Sequence, residues 1–255
     1  MIDIHAHIYE EKLIERIDEV LENAKIAGIE KIVCVGSSIS NSKKCLALAE
    51  KYENVYAVIG VHPDDADRFD DKAESFLREN ATHPKVIAIG EIGLDFHYAP
   101  HDKEKQKEVF VKQLEIANEV GLPIQIHSRD ATGMMIETLT ENKHLLKNGG
   151  IVHCYSGSVE TLKQILNLGL SISMGGIVTF KNARETLEVA EAVPLNRLLL
   201  ETDCPYLTPH PHRGEVNEPK FVELTCQKIA MIKGILTSEV DNITTQNAHR
   251  IFPKL

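Results

Sequence analysis

The chain has 255 residues, 43% of them hydrophobic and 26% charged, which is long enough to bury one large core. No apolar run approaches the roughly 18 residues of a membrane span, and the opening Met1-Ile2-Asp3-Ile4-His5 does not read as a signal peptide. The formal net charge of −10 argues against a broad electrostatic platform for nucleic acid, but a phosphate-bearing substrate still fits a cleft whose field bound cations invert.

Short apolar runs alternate with longer amphipathic ones. The run over 1–5 precedes a helical pattern over 10–27 that stops at Gly28. Runs over 31–36, 55–62 and 86–91 follow, several of them rich in Val and Ile as buried parallel strands should be. A helix is expected over 103–120, ended by Gly121, with Pro123 opening a strand over 123–127. The strand over 150–153 leads to a helix over 158–168 that Gly169 ends. Strands over 170–175 and 197–202 come last, and helical stretches over about 218–233 and 237–250 cover the outside or the bottom. Eight strands, each followed by a helical segment, in about 250 residues is the pattern of a single (β/α)8 TIM barrel, here spanning 1–255. An open doubly wound sheet is the alternative. It would usually carry a glycine-rich phosphate loop after the first strand, and none is present.

Ligand-type side chains fall at the strand ends. His5 and His7 end the first strand, His62 the third, Glu91 the fourth, His127 the fifth and His153 the sixth; Asp203 follows the eighth. Barrel enzymes build their active sites at that face. A lone histidine is ordinarily a surface or satisfied core residue, but so many placed alike point to one site. Residues two apart on a strand point the same way, so His5 and His7 can share a metal, a chance H-x-H being the alternative. The same spacing sets Asp3 and Glu201 one layer deeper, where carboxylates take the second ring N–H of ligating histidines; for either, an internal ion pair is the alternative. Nitrogen and oxygen donors without thiolate suit Zn, Mn, Fe or Co, and Mg less well. Four His and two carboxylates over-supply one ion. Two divalent ions fit better, with Glu91 bridging between the ligands of strand one and those of strands five and six. Cys154 and Cys204 alternate away from the metals and read as packing residues. Five scattered cysteines without a C-x-x-C pair read as reduced thiols of a cytosolic protein.

The segments Asp3-Ile4-His5-Ala6-His7, Gly60-Val61-His62-Pro63, Gly90-Glu91-Ile92-Gly93-Leu94-Asp95, His127-Ser128-Arg129, His153-Cys154-Tyr155-Ser156-Gly157, Glu201-Thr202-Asp203-Cys204-Pro205-Tyr206-Leu207 and Asn217-Glu218-Pro219 resemble the TatD family of metal-dependent deoxyribonucleases. The likeness runs from residue 1 to the tail at 247–252. It implies a barrel, two divalent metals (Mg, Mn or Zn), hydrolysis of phosphodiester bonds in DNA, and a cytoplasmic location. Carried over by position, it implies His5, His7 and Asp203 for one metal, His127 and His153 for the other, and Glu91 between them. Cys204 departs from the pattern, since Ser is expected there in many members.

From these parts, Asp203 is the candidate to orient or deprotonate the attacking water. His62 is the candidate donor to a phosphate oxygen or the leaving group, a capping contact beside Pro63 being the alternative. The loops after strands seven and eight offer Gly175-Gly176 with Lys181, and Arg213-Gly214, for phosphate. For Lys181, a merely solvated side chain is the alternative. Competing functions are hydrolysis of another bond (amide, lactone, a deaminase substrate or a misacylated tRNA ester) and a non-enzymatic metal-binding scaffold. The lack of lysine at the end of strand four favours the Glu-bridged nuclease type. No membrane and no stable protein partner are expected.

Overall fold

In the computed structural model, which describes residues 1–98 and 102–255, the short apolar runs become eight parallel strands. They are β1 (Ile2–Ala6), β2 (Lys31–Val35), β3 (Val55–Ile59), β4 (Val86–Asp95), β5 (Ile124–Arg129), β6 (Gly150–Val152), β7 (Ser171–Met174) and β8 (Leu198–Leu200), paired in chain order. The crossovers carry α1 (Glu11–Ile14), α2 (Ile17–Ile26), α3 (Ile39–Lys51), α4 (Asp71–Asn80), α5 (Lys103–Val120), α6 (Thr132–Glu141), α7 (Val159–Asn167) and α8 (Arg184–Ala192). After β8 come α9 (Val222–Lys233) and α10 (Thr237–Ile251).

Local chemistry sets several of these boundaries. Ser38, Asp70, Asp102 and Ser158 cap α3, α4, α5 and α7 by accepting an N–H from the first turn. Gly121, at φ 73°, ends α5 in the left-handed conformation that glycine takes most easily. The single helix expected over 10–27 is instead two. The chain leaves helical geometry at Arg16 (φ −130°), whose guanidinium reaches Glu218 at 2.5 Å. The third strand stops at Ile59 rather than at His62, because His62 turns to cap the short 3-10 segment Pro63–Arg68.

Two apolar layers hold the barrel. Ile2, Ile4, Val33, Val35, Val58 and Leu199 form the inner one, closed below by Ile251, Phe252 and Leu255 at the N-terminal end of β2, where Lys31 Nζ donates to Leu255 O. Alternate strand residues such as Ile32, Cys34 and Ile59 face outward, onto helix residues such as Val20, Leu48 and Leu77.

The barrel closes through the site itself. Ala6 bridges Cys204, Asp203 N–H donates to His5 O at 2.9 Å, and His7 N–H donates to Cys204 O at 2.7 Å. Two strands are also bulged at the polar residues. Asp3 pairs with Ile32 and Ala6 with Cys34, so β1 carries one extra residue across that interval. Ile89 pairs with Ile124 and Ile92 with Ile126, so β4 carries one extra residue beside Glu91. Such bulges re-aim side chains next to active sites.

Candidate metal centre

His5 and His7 approach each other through their Nε2 atoms, 3.2 Å apart. The other nitrogen of each ring is engaged: His5 Nδ1–H donates to Gln125 Oε1 (2.9 Å) and His7 Nδ1–H to Val35 O (2.8 Å). With each Nδ1 so engaged, both Nε2 atoms turn toward one point, where a single cation could take both. Asp203 Oδ1 lies 3.7 Å from His5 Nε2 and 3.3 Å from His7 Nε2, and Glu91 Oε2 lies 3.7 and 3.8 Å from them. Donors on a tetrahedral ion at about 2.0–2.2 Å stand about 3.4 Å apart, so the spacing fits.

The other Glu91 oxygen faces a different cluster. Oε1 lies 2.9 Å from His127 Nδ1 and 2.8 Å from His153 Nε2. His127 turns Nδ1 inward because its Nε2–H donates to Asp95 Oδ2 at 2.9 Å. His153 Nδ1 faces Glu201 Oε1 at 3.6 Å, and both atoms are buried without a hydrogen-bond partner. Movement of the imidazole toward Glu201 would satisfy both.

Electrostatics follow burial and proximity. Burial pushes the Glu91 carboxyl upward, but the charge of His153 and the hydrogen bonds from His127 and His153 outweigh it and hold the group well below the usual carboxylate range. Burial likewise opposes charge on His7, yet its contact with Asp203 and the Glu91 charge raise it to about 9. For His62, burial and the neighbouring His127 win and depress it to about 3. His62 is thus neutral. Its Nδ1 accepts the Asp64 N–H at 3.1 Å, which leaves the proton on Nε2, 3.8 Å from Glu91 Oε1. The capping contact and an inward-facing donor coexist in one ring.

These groups line an open cleft of about 690 Å³. Its wall carries Glu10, Asp64, Asp65, Glu91, Asp95 and Asp203, while Arg129 is the lysine-or-arginine cation among the described lining residues. Cations held in such a cleft would offset its acidic wall toward an anion.

Not every sequence expectation lands in the cleft. Asp3 does not back a ligand histidine: the bulge in β1 turns it away, and it instead accepts Thr202 N–H at 2.9 Å with Thr202 Oγ1 2.6 Å away. Glu201 does face a histidine, as read from its spacing. Arg213 is exposed and engaged outside the cleft, donating to Thr208 O of its own loop at 2.8 Å and stacking on Phe180 of the β7–α8 connection at 4.0 Å. Lys181 is exposed and outside the cleft wall. Sequence reasoning missed three participants. Gln125 and Arg129 lie two residues on either side of His127, and Asp95 ends the same strand as Glu91, so strand alternation was the available signal.

A (β/α)8 barrel with two histidine–carboxylate clusters sharing one glutamate at its mouth is the framework of a metal-dependent hydrolase. The chain belongs to the TatD-related DNase family, whose model matches residues 2–253. It is 42% identical over 252 residues to YabD of Bacillus subtilis, named an uncharacterized metal-dependent hydrolase, covering 99% of this chain and 98% of that one. YcfH of Escherichia coli, likewise so named, is 36% identical over 256 residues, covering 99% and 95%. Among solved structures, the TatD homologue YjjV of Escherichia coli superposes with a TM-score of 0.94 at 29% identity, covering 99% and 98%.

Proposed function

We propose that this metal-dependent hydrolase is a deoxyribonuclease that cleaves phosphodiester bonds with two divalent cations, the whole of 1–255 acting as one barrel unit. The observation that carries the reading is Glu91, whose Oε2 faces His5 and His7, the pair that Asp203 also approaches, while its Oε1 faces His127 and His153. His5, His7 and Asp203 would hold one ion and His127 and His153 the other, with Glu91 available to both. When bound, the cations neutralise phosphate charge and acidify water. Asp203, which lines the cleft, orients the attacking water and accepts its proton. His62 donates its Nε2–H to a phosphate oxygen or to the leaving oxygen. Arg129 pairs with a phosphate, the role first read into Arg213 and Lys181. DNA is the substrate that the family name supports. We assign the protein to the cytoplasm, which five free thiols suit; no described helix is long and apolar enough to cross a membrane.

The test is end-labelled single-stranded and duplex DNA offered with Mg, Mn and Zn, beside an anilide and a lactone. Metal-dependent cleavage of DNA alone supports the reading. Turnover of only the anilide or lactone would replace it with another metal hydrolase.

A further inference from the structure

Gly36 and Ser37, which follow β2, have no role in the reading above, yet they lie inside the site. Val35 O accepts from His7, Gly36 O accepts the Glu91 N–H at 3.2 Å, and Ser37 O accepts the His62 N–H at 2.9 Å. Ser37 is therefore pinned by its backbone between the two clusters, and its side chain lines the cleft.

The hydroxyl of Ser37 has two polar neighbours. Asn41 Nδ2–H donates to Ser37 Oγ at 2.9 Å, and Tyr9 Oη lies 3.2 Å from the same atom. The direction of the Tyr9 contact follows from counting protons. Tyr9 Oη also lies 3.2 Å from His7 Nδ1, but that nitrogen carries the hydrogen donated to Val35 O and has no lone pair to offer. Tyr9 is buried, so its O–H has Ser37 Oγ as its acceptor among the described residues. Ser37 Oγ then receives two hydrogens, from Tyr9 and from Asn41. No carbonyl or carboxylate among the described residues takes the hydrogen that Ser37 itself carries.

We infer that Ser37 is a substrate-binding residue, its O–H held toward the cleft by Tyr9 and Asn41 to donate to an anionic oxygen of the substrate. The inference rests on the reading of the cleft as a phosphate site. Tyr9 and Asn41 act through Ser37 as positioning residues.

The test is calorimetric titration of inorganic phosphate into the metal-loaded protein, with metal content measured on each variant. Ser37→Ala is expected to keep the metal content and weaken phosphate binding about tenfold, the loss of one hydrogen bond to a charged group. Ser37→Thr, which keeps the hydroxyl, is expected to bind within about twofold of the parent. Ser37→Cys, a weak donor of similar size, should resemble Ser37→Ala, and it carries the comparison with Ser37→Thr if the alanine variant does not fold. Equal phosphate binding by the parent and the Ala or Cys variant would overturn the inference, as would a parent that binds no phosphate. Turnover of bis(4-nitrophenyl) phosphate separates the two readings. Ser37→Ala should raise KM more than it lowers kcat. A parent that binds phosphate through Ser37 but cleaves no phosphodiester would overturn the nuclease reading and leave Ser37 assigned.

Discussion

Asp203 N–H donates to His5 O at 2.9 Å, so the rung that closes the barrel joins two residues whose side chains converge on one candidate metal cluster. Asp203 sits at φ 56°, in the left-handed region. Such a conformation costs on the order of 1–3 kcal/mol outside glycine, although aspartate tolerates it better than most. Closure of the barrel and formation of the site are one piece of geometry, and cations held there should stabilise the β1–β8 seam.

Metal removal is therefore expected to destabilise the fold as well as abolish turnover. Ions present at about 100 times their dissociation constant contribute about 2.7 kcal/mol, which for a chain of this size corresponds to about 5–10 °C in Tm. Differential scanning fluorimetry before and after chelation, with readdition of Mn or Zn, measures this. An unchanged Tm would separate the seam from the metals.

Glu91→Gln keeps the shape of the side chain and removes its charge. Since each oxygen faces a different cluster, the substitution should cost at least one metal equivalent per chain and lower kcat by about two to three powers of ten. Metal analysis and circular dichroism on the same preparation check it. Full metal content with full turnover would remove Glu91 from the bridge.

The fold was legible because its signal is periodic: short Val- and Ile-rich runs with glycine stops mark strands and helices whatever their partners. The candidate ligand set was legible because histidines and acids fell at successive strand ends. What failed was strict alternation within a strand. Counting by twos from His7 through His5 reaches Asp3 and sets all three on one face, but the extra residue in β1 sends Asp3 to Thr202 instead. A bulge depends on the register with the neighbouring strand, and one strand's sequence does not contain it. The surroundings of Arg213 were not legible for a related reason. Its nearness to glycine said nothing of Phe180 and Thr208, which the folded loops bring to it.

Asp3 gives a prediction with a definite sign. Burial raises its pKa from 3.8 to about 8, the contacts with Thr202 offsetting only part of the effect. Between those values the folded chain holds a proton that the unfolded chain has released. Stability from this group is fully present below the unfolded pKa and is lost as pH rises toward about 8. Asp3→Asn lacks the titration, so its stability relative to the parent should improve steadily as pH rises through that window. Urea midpoints of both proteins at several pH values test it. A difference independent of pH would show that Asp3 is ionised in the folded chain.

The two arginines near the mouth make the sharpest contrast. Arg129 follows His127 by two residues on β5, lines the cleft, and lies over the Tyr98 ring at 5.1 Å. Arg213 is already engaged with Thr208 O and Phe180, outside the cleft wall. Arg129→Ala should leave metal content unchanged and lower kcat/KM on a phosphodiester by about one to two powers of ten, the worth of a charge-assisted contact of about 1.5–3 kcal/mol. Because Arg129 is exposed, added salt screens its attraction, and the ratio of parent to variant should narrow as ionic strength rises. Arg213→Ala should instead cost about 1 kcal/mol of stability through the lost stacking and carbonyl contact, with kcat/KM within about twofold of the parent. Steady-state kinetics at low and high salt, with urea unfolding of both variants, distinguish the two roles. A larger kinetic loss from Arg213→Ala than from Arg129→Ala would return the phosphate contact to the loop after β8.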